Sequence, residues 1–109
     1  NIIYGNSLNG LFLDSSSNNT LTNNTANYNF NGFRLLFSFN NTLTNNTANN
    51  NSQVGFLVSS SENNSLTSNT ANNNTFGFSL YSSHFNILMN NIASSTQFGG
   101  FYLELSKSL

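Results

Sequence analysis

The ten residues NNTLTNNTAN occur twice, unchanged, at positions 18–27 and 40–49, a separation of 22. A period of that length constrains the fold before anything else does. One unit this small cannot bury an apolar face alone, so it must stack on its neighbours. Taking Gly10, Gly32, Gly55, Gly77 and Gly100 as unit starts gives spacings of 22, 23, 22 and 23. Next to each Gly stands Leu11, Phe33, Phe56, Phe78 or Phe101, and two places on stands Leu13, Leu35, Val58, Leu80 or Leu103. That alternation describes a short strand with one apolar face. A second strand runs through Leu21, Leu43, Leu66 and Leu88, and a third through Ala26, Ala48, Ala71 and Ala93.

Polar columns fall between these strands. Ser16, Ser38, Ser61, Ser83 and Ser106 recur at one offset, and Asn19, Asn41, Asn64 and Asn86 at the next. Asn24, Asn46, Asn69 and Asn91 open the third strand; Asn29, Asn51 and Asn74 close the unit, with Thr96 in the fourth copy. Each unit is therefore three short strands separated by corners, and stacking units at about 4.8 Å puts like on like. Stacked Asn suits this geometry, since each amide donates to one neighbour and accepts from the other. Asn and Gly also tolerate the left-handed backbone of sharp corners. The chain has no Pro, as interior strands that need every N–H require. The expectation is an all-β chain, one domain over residues 1–109, coiled as a parallel β-helix of almost five turns. A helical repeat is excluded by this density of Asn and Thr.

The pattern G-F-x-L-x-x-S-x-x-N-x-L-x-x-N-x-A resembles the right-handed parallel β-helix repeats of the NosD-like, pectate-lyase-type group, over nearly the whole chain. The resemblance implies the right hand, which the rule for parallel crossovers also favours. It further implies an extracellular or cell-surface setting in archaea or bacteria. It leaves function open, because the group holds enzymes, maturation factors and structural surface proteins.

Composition narrows the field. Only 5% of residues are charged and the net charge is −1, so nucleic acid finds no basic field to bind. No apolar run is long enough to insert in a membrane as a helix, and the start NIIYGNSLNG is not a signal peptide. The chain does not begin with Met and reads as a processed or excerpted segment. Cys is absent, which removes disulfides and thiolate sites. Regularly spaced aromatics, 14% of the chain, argue against a disordered Asn-rich tract.

Titratable side chains are Asp14, Glu62, Glu104, Arg34, Lys107 and His84. Glu62, His84 and Lys107 share one outward offset in successive turns, which reads as a solvated edge of alternating charge rather than an acid–base cluster. Asp14 and Glu104 share another, but four turns apart is about 19 Å, too far for a glycosidase carboxylate pair. No catalytic residues, cofactor or metal ligands are assigned, and copper has no ligand set to rest on. The expectation is that the chain is not an enzyme.

Two surface features remain. Asn18, Asn23, Asn40, Asn45, Asn50, Asn63 and Asn73 each begin an N-x-S/T sequon on an outward position. They read equally as glycan acceptors and as a by-product of the repeat. Phe37, Phe39, Tyr81 and Phe85, with Tyr28 and Phe30, face outward at strand edges and corners. Such aromatics mark a partner interface, with sugar stacking as the rival. The chain starts partway through one turn and stops partway through another, with no cap at either end. The leading expectation is a structural module that self-associates end to end into a filament or surface layer; a carbohydrate-binding or adhesive module is the alternative.

Overall fold

The computed structural model describes residues 1–108; Leu109, where the last turn's second strand is expected to open, lies outside them. The described residues form an all-β, right-handed parallel β-helix with three strands per rung. The first strands, from Asn9–Asp14 to Gly99–Glu104, make a five-stranded parallel sheet. The second strands make another, from Thr20–Thr22 to Lys107–Ser108. The third strands are shorter; Thr47 bridges Thr25 and Thr70 and carries that face through the second rung. Register follows the period without slippage along the body: Leu11 pairs with Phe33, Phe33 with Phe56, Phe56 with Phe78 and Phe78 with Phe101.

The interior is a set of columns. Phe33, Phe56 and Phe78 are fully buried, and their rings stack at 4.8 Å with interplanar angles of 3° and 4°. Parallel rings at the rung spacing follow from identical backbones holding identical rotamers. Leu35, Val58 and Leu80 form a second column, and Leu43 and Leu66, with Leu21 almost as deep, a third. Ala26, Ala48 and Ala71, all fully buried, line the narrow side opposite the glycines.

That narrow side corrects the expected role of the repeat glycines. Only Gly5 has a positive φ; Gly10, Gly32, Gly55 and Gly77 are Gly because a Cβ would have no room. A Cβ on Gly32 would lie 2.6 Å from both the Ala48 Cβ and the Gly55 carbonyl oxygen. The small column across the rung and the small column in the first strand fit each other.

The corners also differ from the simple expectation. Each full rung has four left-handed positions, not three. In the third rung these are Ser60, Asn63, Ser68 and Asn73, with φ between 47° and 58°. The ladder asparagines are not the left-handed ones; the residue before each of them is. The corner Asn bends the chain, the next Asn points inward, and the Thr or Ser after it starts the following segment.

Candidate functional site

Chemistry-bearing side chains are sparse, so the candidate surfaces are built from the corners outward and from the buried amides inward. The backbone N–H of Asn41 donates to Asn64 Oδ1 at 2.8 Å, and Asn41 Nδ2 donates to the same oxygen at 3.1 Å. Asn64 repeats both bonds onto Asn86, while its Nδ2 also donates back to the Ser38 carbonyl at 3.0 Å. Each interior amide thus accepts two bonds and donates two, which fills its capacity. The ladder from Asn24 through Asn46 and Asn69 to Asn91 has the same pattern. The serines form a ladder too: the N–H of Ser38 donates to Ser61 Oγ, and that of Ser61 to Ser83 Oγ. In these inward ladders the bonds onto the side-chain oxygens run from the earlier rung to the later one, whereas the column of Asn27, Asn49 and Asn72 runs the other way, the N–H of Asn49 donating to Asn27 Oδ1 and that of Asn72 to Asn49 Oδ1.

The sequon asparagines stand where expected. Asn18, Asn23, Asn40, Asn45, Asn63 and Asn73 are exposed and Asn50 is half-buried. All seven have left-handed backbones. The N-N-T pattern therefore combines three structural roles: a corner, a ladder amide and a strand residue.

Phe37, Phe39, Tyr81 and Phe85 are all exposed, on the corner between the first and second strands. Phe37 and Phe39 lie in the second rung, Tyr81 and Phe85 in the fourth, and Ser59, Ser60 and Glu62 occupy the rung between. Phe37, Phe85 and Tyr28 also take left-handed backbones, at φ 48°, 58° and 60°. Bulky side chains are rare there, and the conformation costs about 1–2 kcal/mol. Tyr28 and Phe30 line a shallow cleft of about 290 Å³ with Asn6, Asn50 and Ser52. A second cleft, about 480 Å³, opens beside Asn74 and Thr96, where the third Asn ladder stops.

Further apolar side chains escaped the sequence reading. The outward face of the second strand is Thr20 and Thr22, then Thr42 and Thr44, then Ser65 and Thr67; in the fourth rung it becomes Ile87 and Met89. Ile92 likewise replaces Thr70 at the start of the third strand. All three are exposed. The signal lay in comparing outward offsets between units, where the fourth unit exchanges hydroxyls for hydrocarbon.

Among the described residues the charged side chains do not converge. The register sets His84 beside Lys107, and the Asn63 N–H bonds the His84 carbonyl, so Glu62, His84 and Lys107 follow one another along the first corner. Asp14 and Glu104 stand at opposite ends of one column, through Leu36, Ser59 and Tyr81. Arg34 lies over the Phe12 ring at 5.1 Å, a cation–π contact on the outer face of the first sheet. The Tyr102 hydroxyl donates to the Glu104 carboxylate at 2.9 Å, and that bond, with the carboxylate's charge, raises the tyrosine pKa above its ordinary value. Among the described residues no three His, Cys, Asp or Glu side chains cluster as metal ligands.

The family model described as periplasmic copper-binding protein (NosD) matches residues 1–108. Among solved structures, a double mutant of the periplasmic alginate epimerase AlgG aligns with a TM-score of 0.77 at 16% identity, covering 99% of this chain and 38% of that one. A second structure of the epimerase aligns with a TM-score of 0.61 at 15% identity, covering 99% and 42%. The chain thus spans about two fifths of the epimerase, and at these identities the likeness is one of fold. No curated protein sequence matches it. Copper takes imidazole, thiolate and thioether donors. This chain offers one His, one Met and no Cys, a set that does not fit a copper centre.

Proposed function

The chain belongs to the NosD family, and from that premise we propose that it is an exported, non-catalytic structural module whose end rungs receive further rungs of its own kind, head to tail, building a filament or surface layer. The observation that carries this reading is the polarity of the inward Asn and Ser ladders, whose side-chain oxygens accept from the earlier rung. Asn1, Asn6 and Asn19 open their ladders with Oδ1 atoms that accept no bond among the described residues, while each donates onward to Asn24, Asn29 or Asn41. At the other end Asn91 receives from Asn69 and holds its own N–H toward a rung beyond. Along the inward ladders one end face thus offers amide oxygens and the other offers N–H donors. Head-to-tail stacking satisfies both, whereas like faces would leave groups unpaired at about 1–3 kcal/mol each. Phe101 supports the same picture. It stacks on Phe78 at 5.0 Å and carries the ring column into the fifth rung. A contact of this kind is heterologous and does not close.

Export to the periplasm or the cell surface is supported by the periplasmic character of the family. Glycans on the outward sequons would leave every ladder intact. Electron microscopy of the purified chain tests assembly. Fibres with an axial repeat near five rungs, about 24 Å, are expected, and Phe101→Asp should shorten or abolish them. Discrete particles at every concentration would overturn the reading. A second reading, carbohydrate binding, is favoured by the cleft that Tyr28 and Phe30 line; glycan-array binding lost in Tyr28→Asn would establish it.

A further inference from the structure

The second sheet's outer face changes character at one rung. Through the first three rungs its outward residues are Asn18, Thr20 and Thr22, Asn40, Thr42 and Thr44, then Asn63, Ser65 and Thr67. In the fourth they are Phe85, Ile87 and Met89, exposed by 66%, 44% and 53%. Ile87 and Met89 flank Leu88 in the paired part of the strand and point the same way, and Phe85 adjoins them from the corner, across the fully buried Asn86. Phe85 holds this position at φ 58°, where the three earlier rungs use Asn. The fold requires none of these replacements, since those rungs close the same sheet with hydroxyls and amides. A costly backbone and a hydrocarbon stripe have been placed on a flat, polar wall.

We propose that this stripe is a lateral docking surface for a second copy of the chain, the two molecules meeting face to face through their second sheets about a two-fold axis. Two features select a copy as the occupant. The face is free of charge at these outward positions in all four rungs, so setting it against itself opposes no like charges. Its size also fits. The three side chains leave on the order of 350 Å² bare, within the range of functional surface patches. The flanking Thr and Ser of the same sheet extend the contact toward the about 800 Å² that each partner of a standard interface contributes. An isologous contact needs only one self-complementary patch. The side contact is independent of the end-to-end contact and would join filaments side by side where both operate.

Sedimentation velocity on the full chain, and on the same chain carrying Phe101→Asp to disable end stacking, separates the two contacts. In the Phe101→Asp background a dimer is expected. Ile87→Thr with Met89→Thr should weaken it about tenfold or more, as loss of central apolar anchors does. Both substitutions restore what earlier rungs carry, and circular dichroism will confirm the fold. Phe85→Asn gives a second, oppositely signed readout: association falls while the melting temperature rises, because Asn suits the corner. A purely structural Phe85 would lower the melting temperature. The proposal is overturned if the Phe101→Asp chain is monomeric at all concentrations, or if the Ile87→Thr, Met89→Thr chain dimerises as tightly as its parent.

Discussion

The left-handed backbone positions show what single residues are for. Of the seventeen non-glycine residues there, all but Tyr28, Phe37, Phe85 and Leu105 are Asn or Ser. Asn relieves the strain by local hydrogen bonding and a short side chain. Tyr28 is 65% exposed, so little packing is lost when it is shortened. Tyr28→Asn should therefore raise stability by about 1 kcal/mol, half or more of the usual strain, read as a higher urea midpoint at unchanged slope. A fall in midpoint would mean that the ring packs in solution. Glycines give the opposite case. A Cβ at Gly55 would meet the Gly77 carbonyl oxygen at 2.7 Å, a backbone atom that cannot swing away. Gly55→Ala should destabilise by about 1–3 kcal/mol, as overpacking does. A neutral result in thermal unfolding would show that the narrow corner can open.

At the scale of the element, the ladders distribute stability unevenly. Asn64 serves the rungs on both sides: it accepts from Asn41, donates to Asn86 and satisfies the Ser38 carbonyl. Asn64→Ala leaves several buried groups unpaired, at about 1–3 kcal/mol apiece, so a loss above about 3 kcal/mol is expected. Asn19 stands in the first rung of the same ladder with partners on one side and is half-buried, so Asn19→Ala should lose less. Equal losses in chemical denaturation would refute nearest-neighbour coupling along this ladder. The same elements mark what was legible in advance. Phe33, Phe56 and Phe78, the leucines and the ladder amides could be placed from spacing, because stacking forces like onto like. The fourth corner position could not. Ser60 and Asn63 turn the chain twice within one apparent corner, and nothing in apolar periodicity counts turns between inward residues. The glycine role was misread because a close approach and a left-handed turn select the same residue. Ile87 and Met89 went unseen because a search for what repeats passes over the place where repetition fails.

For the whole molecule, the division between inside and outside is also a division between neutral and ionisable. Among the described residues every buried polar side chain is Asn or Ser, and Asp14, Arg34, Glu62, His84 and Glu104 stand on the surface or at its edge. Stability depends on pH only through groups that bind protons differently when folded and unfolded. A core held by amides and hydroxyls contributes nothing to that difference. The Tyr102 hydroxyl, bonded to the Glu104 carboxylate in the solvent-exposed fifth rung, has its pKa raised by that bond and by the carboxylate's charge. Because the folded state raises the tyrosine pKa, the stability this pair contributes is present below the ordinary value and fades as pH rises through the folded one. Any loss should therefore appear only above about pH 10. The melting temperature should stay nearly flat from about pH 5 to about pH 9, between the ordinary ranges of carboxylates and tyrosine. Glu104→Gln should lower the Tyr102 pKa without moving the plateau, followed by ultraviolet titration and calorimetry on the same samples.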